Sequence, residues 1–240
     1  MVRCSMKHLS FPLLCAMVFA YGAPSATAPA LKDEQLSYSI NWPSGLSLGE
    51  SHLRATHAKA PTESVDRLQL EFGIDAAIPG FQVMDRYNAS ATADFCSGDF
   101  QKKVQHGSKK GEEKTTFDQQ AGSATRETKG GGKTELTTSS CAKDALTYLY
   151  YVRHELSQGR LPAPQTVYFG APYQVRVEFA GTQTIRIGET ALEADRLTAT
   201  AKGPSSDISF EVFFLKDAAR TPALVRVPLS LGTFSMELIK

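Results

Sequence analysis

Several stretches of the 240-residue chain carry side chains at spacings that catalytic chemistry uses. Gly45-Leu46-Ser47-Leu48-Gly49 fits the G-x-S-x-G pattern, in which a serine nucleophile stands on a sharp strand-to-helix turn and works with an acid and a histidine further along the chain. The residues that follow, through Ala58, alternate or stay polar instead of opening an amphipathic helix, so a hairpin turn accounts better for the glycines. Gly130-Gly131-Gly132-Lys133-Thr134 has the ending of a phosphate-binding loop, but Glu127 occupies the position of the required earlier glycine, and no buried strand or long helix flanks it. Nucleotide binding is excluded on that ground. His52, His57, His106 and His154 have no metal-ligand spacing, and on a strand the first two face opposite sides. Asp85, Asp195 and Glu237 are the carboxylates that could serve a hydrolase with Ser47, yet nothing in their spacing assembles them. The sequence thus offers no catalytic set, no cofactor site and no metal site.

Two further groups are chemically distinctive. Cys96 and Cys141 are the cysteines left once the N-terminal 30 residues are set aside, and an even pair in an oxidising compartment favours a structural disulfide over metal binding. Arg153 falls inside the apolar stripe of a helix, between Leu146 and Leu149 on a 100° projection, with Tyr148, Tyr151 and Glu155 on the far side. A guanidinium aimed into a core needs a carboxylate or several carbonyls to offset its desolvation. It is either a structural anchor, or it meets an anionic head group between helix and sheet; Leu146, Leu149 and Arg153 are accordingly the residues expected to line a ligand site or the core.

The first 30 residues read as a signal peptide and cleavage region. Arg3 and Lys7 precede an apolar run from Leu9 to Ala20, which small residues follow. That run is too short to span a bilayer core of about 30 Å, and no later segment approaches the length needed, so the expectation is a mature protein with no transmembrane segment, periplasmic or secreted. Cleavage fits either Ala20-Tyr21-Gly22 or Ala28-Pro29-Ala30. Cys15 lies inside the apolar run behind Leu13-Leu14, which argues against lipid attachment. Over the whole chain Lys+Arg number 26 and Asp+Glu 25, and removing Arg3 and Lys7 leaves a net charge near −1. Such neutrality argues against nucleic acid as a partner.

Residues 31–240 are expected to form a single exported domain, mainly β. Leu36, Tyr38, Ile40 and Trp42 alternate with polar residues, as do Leu68, Leu70, Phe72 and Ile74, and the run from Val83 to Phe95 leads into Cys96. The polar region from Phe100 to Ser140 is punctuated by glycines and rich in threonine, which predicts solvent-facing hairpins rather than a long structureless loop. Ala142, Ala145, Leu146, Leu149, Val152 and Leu156 recur every three or four residues before Gly159 and Pro162, predicting the main helix over 143–157. Strict alternation resumes at Tyr173, Val175, Val177 and Phe179 and again at Ile208, Phe210, Val212 and Phe214; Pro228, unable to donate a ladder bond, predicts an edge position or a bulge. The spacing describes an antiparallel meander forming a bent sheet or incomplete barrel, with the helix packed on it.

Three segments resemble the bacterial family called domain of unknown function 3108: the helix from Cys141-Ala142-Lys143-Asp144-Ala145-Leu146 through Tyr150-Tyr151-Val152-Arg153, the strand Tyr173-Gln174-Val175-Arg176-Val177, and the ending from Arg220-Thr221-Pro222-Ala223-Leu224 to Glu237-Leu238. The resemblance extends over residues 36–240 and implies an exported, β-rich protein with no catalytic residues to carry over. Relatives read Asp-Pro at the helix start where this chain has Asp144-Ala145 behind Cys141, which implies a subgroup that adds a disulfide there. On these grounds the leading functional expectation is a non-enzymatic envelope protein that binds an apolar or amphiphilic, lipid-like ligand, or a partner protein. An envelope hydrolase and an assembly factor acting through strand edges are the alternatives.

Overall fold

The structure is a computed structural model that describes residues 32–59, 66–78, 80–204, 207–230 and 232–239. The signal peptide expected over residues 1–30 and most of the polar loop before Ser64 lie outside these residues. Among the described residues, fifteen strands join in one sheet. The first eight are β1 (Glu34–Asn41), β2 (Ser47–Lys59), β3 (Asp66–Ile78), β4 (Phe81–Thr92), β5 (Ser97–His106), β6 (Lys109–Asp118), β7 (Ser123–Thr128) and β8 (Lys133–Thr137). The two-residue β9 (Lys143–Asp144) then leads into helix α1 (Ala145–Ser157). After the helix come β10 (Gln165–Tyr168), β11 (Pro172–Ile187), β12 (Thr190–Lys202), β13 (Asp207–Leu215), β14 (Pro222–Leu229) and β15 (Gly232–Leu238).

The sheet runs from β8 back to β1, crosses to β15, and continues back to β9, so each half is a meander and the two meet where Tyr38 pairs with Leu238 and Ile40 with Met236. It does not close into a barrel, since β8 and β9 are its two ends. The expected mainly β, bent, open-barrel architecture with one main helix is therefore the architecture observed. The polar region after Phe100 forms the hairpins β5 to β8. His106 pairs with Lys109 across Gly107-Ser108, where Gly107 takes a positive φ of 61° that suits a residue without Cβ.

The two halves of the sheet bury opposite sides of one helix. Leu146 and Tyr150 pack with Tyr38, Leu53, Leu70 and Phe100 of the first half, while Tyr148, Val152 and Leu156 pack with Val177, Leu197, Val212 and Phe214 of the second. Burying an aliphatic or aromatic side chain of this size stabilises by about 1.5–3 kcal/mol, so the helix is held chiefly by the sheet that wraps it. In β13, Phe213 points away from Val212 and Phe214, yet it is also fully buried, because Ile185, Ile187, Ala223 and Leu224 cover that face.

Three expectations change on this architecture. The helix begins at Ala145 rather than residue 143, because Lys143 and Asp144 pair in parallel with Val167 and Tyr168, the one parallel ladder in the described sheet. Tyr148 is buried rather than on a free far side, since a projection onto one apolar face takes no account of a sheet that covers two. The strand leading to Cys96 stops at Thr92, and Phe95 turns the chain with a φ of 58°. The edge position expected for Pro228 is found: it lies beyond Arg226, the last β14 residue paired with β13, so it has a partner only on the other side, Thr233 of β15.

Candidate functional site

The helix start is fastened to the first half of the sheet by polar groups converging on Asp144. Its carboxylate caps α1, accepting from the amides of Leu146 at 2.8 Å and Thr147 at 3.0 Å. It also accepts from Thr147 Oγ1 at 2.6 Å and Ser97 Oγ at 2.5 Å, and the Asp144 amide donates back to Ser97 Oγ at 2.7 Å. Burial pushes the Asp144 pKa up, and the hydrogen bonds from Ser97 and Thr147 hold that rise back. Gln119, from the turn after β6, donates to the carbonyls of Ser97 at 2.7 Å and Ala142 at 3.0 Å and accepts from the Ala142 amide. The Cys96–Cys141 disulfide, with Cα atoms 4.5 Å apart, closes the same junction. Lys143 is also buried here, over the Tyr151 ring and donating to the Cys141 carbonyl, and loss of hydration lowers its pKa.

The other end of the helix is fixed by Arg153. Only 2 % exposed, it donates through Nε to the Ala219 carbonyl at 3.0 Å and through its two terminal nitrogens to the Glu34 carboxylate, with Nη2–Oε2 at 2.9 Å. Tyr150 stacks beneath the guanidinium and donates to the same carboxylate at 2.9 Å. Arg153 borders a recess of about 400 Å³ with Lys32, His154 and Asp217, which shares no lining residue with the apolar space beneath the helix. Each of its three nitrogens has a protein partner, the arrangement of an anchor.

Between these two fastenings the helix does not fill the concavity. One lobe of about 280 Å³ lies against the second half of the sheet, bordered by Tyr148, Val152, Val175, Leu197, Phe210 and Phe214. A second lobe of about 290 Å³ lies against the first half and is bordered by Tyr38, Leu53, Phe72, Tyr87, Leu146 and Met236. The two share Ala145, Leu149, Phe169, Phe210 and Val212, and no charged side chain borders either. Leu149 is therefore a shared wall, Leu146 borders the second lobe, and Arg153 borders neither. The first lobe reaches the surface near Tyr173 and the 43 % exposed Ile208.

The structure does not assemble the hydrolytic candidates. Ser47 begins β2 beside Ser39, its Oγ 3.2 Å away, after a turn rather than before a helix. Asp195 accepts from Thr182 and Arg220, and Glu237 from Ser235. Asp85 accepts from Tyr87 at 2.9 Å and faces His106 Nε2 at 2.9 Å, so His106 is a paired residue rather than a plain surface one. His57 meets Asp33 at 2.8 Å, and His154 lies against Phe95. Gly130 to Gly132 form the β7–β8 turn, closed by Thr128 N to Gly132 O at 2.9 Å. Among the described residues no group of three or more His, Cys, Asp or Glu could hold a metal ion, and no helix is long and apolar enough to cross a membrane.

An open, barrel-like antiparallel sheet wrapped around one helix, with an apolar two-lobed space between them, defines the class of this protein. Residues 37–239 match the family described as protein of unknown function, DUF3108, and the chain belongs to that family. No curated protein matches it. A solved structure, the β-barrel-like protein of domain of unknown function DUF1849 from Brucella abortus, superposes with a TM-score of 0.58 at 10% identity, covering 88% of this chain and 97% of that one. That likeness concerns the fold alone.

Proposed function

We propose that the protein is a non-enzymatic envelope protein that binds an apolar or amphiphilic molecule in the two-lobed space between α1 and the sheet. The observation that carries this reading is the wall of that space, two adjoining lobes without a charged side chain, which meet at Leu149 and Phe169. Ligand sites are concave and largely apolar, commonly 300–1,000 Å³, and the adjoining lobes together fall in that range. The signal-peptide pattern over residues 1–30 supports a location outside the cytoplasm, as does the disulfide, which persists in oxidising compartments.

Native mass spectrometry of gently purified protein tests the reading directly, together with melting in the presence of 1-dodecanol. The expected result is a co-purifying lipid-like mass or a dodecanol-dependent rise in Tm, both lost in Leu149→Trp, whose indole would occupy the shared wall. Protein that carries no such mass, binds no apolar probe and melts at the same temperature with dodecanol present would refute it.

A further inference from the structure

Helix α1 is tied at both ends and leaves open space along its middle. Its start is held at Asp144 and by the Cys96–Cys141 disulfide, and Arg153, toward its other end, is bonded to Glu34 and the Ala219 carbonyl. These ties keep the helix from settling into the space on either side of it. Leu149 divides that space: it packs with side chains of both halves of the sheet and, with Ala145, Phe169, Phe210 and Val212, borders both lobes. The lobes so divided are nearly equal, about 280 and 290 Å³. Ala145, Leu149, Phe169 and Phe210 are only half-buried, so the lobes meet where the space is open. An apolar void forfeits the contacts its wall would otherwise make, and two voids of one size, kept apart by a fixed helix, cost the fold stability unless something fills both.

We propose that the occupant is a lipid with two hydrocarbon chains, one on each side of Leu149, joined where the lobes meet and carrying its head group outside. The inference rests on the ligand-binding reading above and names its ligand class. A single chain would fill one lobe and leave the other empty, and a rigid fused-ring molecule could not straddle Leu149. No charged side chain borders either lobe, so a polar head drawn inside would lose its hydration with nothing to replace it. Arg153 offers it no site, since it borders a separate recess and is engaged by Glu34 and Ala219. Once the first chain is seated, the second enters its lobe at the high effective concentration set by their short link, which raises affinity well beyond that of either chain alone.

Calorimetric titration of delipidated protein with two short-chain lipids of the same head group, dioctanoyl-phosphatidylcholine and octanoyl-lysophosphatidylcholine, tests the assignment below their micelle concentrations. Wild type should bind the two-chain lipid at least about 100-fold more tightly than the single-chain one. Val175 borders only the lobe against the second half and Ile74 only the lobe against the first, and both are half-buried, so an indole at either position can enter one lobe and spare the other. Val175→Trp and Ile74→Trp should each erase the two-chain advantage while binding the single-chain lipid as wild type does. Val175→Phe and Ile74→Phe, smaller fillers, take the place of a tryptophan variant that does not fold. Wild type without the advantage, either folded variant retaining it, or a folded variant that binds neither lipid would overturn the two-chain assignment while leaving the cavity as a binding site. The uncharged fluorophore N-phenyl-1-naphthylamine separates that failure from a deeper one: wild type that takes up neither the fluorophore nor either lipid would remove the cavity reading itself.

Discussion

Arg153 of α1 and Glu34 of β1, 119 residues apart in the chain, form a doubly hydrogen-bonded ion pair inside the sheet. Removing one partner strands a charge away from water, which costs about 3–5 kcal/mol in buried pairs. Arg153→Met should therefore lower stability by that amount in urea unfolding. At temperatures where the variant remains folded it should still bind N-phenyl-1-naphthylamine as wild type does, and a lost affinity would give the arginine a ligand role that its present contacts do not show.

Reduction of the Cys96–Cys141 disulfide should cost about 4 kcal/mol on the chain-entropy account of cross-links. Because Ser97, Gln119 and Asp144 hold the same junction, the reduced protein should keep its fold in the absence of denaturant. Urea curves with and without reductant measure the difference. Curves that coincide would place the stability of the helix start in the hydrogen bonds alone.

Asp144 imposes a definite sign on the pH dependence. Its pKa in the folded protein is raised above the ordinary 3.8, so the native state holds the proton more tightly than the unfolded chain. The stability it contributes is fully present below pH 3.8 and is lost as pH rises through the folded pKa. Asp144→Asn keeps a good N-cap and removes the titration. The advantage of wild type over the variant should shrink as pH rises from about 3.5, read from urea unfolding at a series of pH values. An advantage that grows instead would mean that the four donors outweigh burial.

At the rim of the first lobe the Tyr173 ring lies over Gly203, so close that a Cβ on the glycine would come within 2.2 Å of it. Gly203→Ala must swing the half-buried ring aside. Overpacking of a fixed neighbour costs about 1–3 kcal/mol, and a ring free to move should reduce the loss to under about 1 kcal/mol. The expected functional effect is faster release of N-phenyl-1-naphthylamine in stopped-flow dilution, with Tm little changed. Unaltered release would show that Tyr173 does not limit passage.

What could be read from the chain in advance was local. Alternation at Leu68, Leu70 and Phe72 reports one face of a strand because side chains switch sides every residue, and Gly159 ends a helix through backbone geometry. The hairpins after Phe100 were legible for similar reasons, and the pairing of Cys96 with Cys141 because they are the two cysteines that follow the N-terminal 30 residues. Glu34 was not, because nothing near it in sequence announces a partner 119 residues away. Ser97 and Gln119 were missed likewise, being ordinary polar residues until the fold brings them to the helix start. The burial of Tyr148 was not legible, because amphipathicity assumes a single covered face. The empty lobes depend on how many separate strands curve around the helix, a property that no window of sequence contains.

The pairing of β1 with β15 has a consequence for how the chain assembles. In spatial order every strand would neighbour the next in sequence if the protein began at β9 and ended at β8, with β15 running directly into β1. The natural ordering instead places its seam at the centre, so the two halves are knit together by residues from opposite extremes of the described chain, and loop closure must precede that union. A rearranged gene with a short linker after β15 and new ends between β8 and β9 would turn this remote junction into a neighbouring one, and such a chain should reach the same architecture sooner.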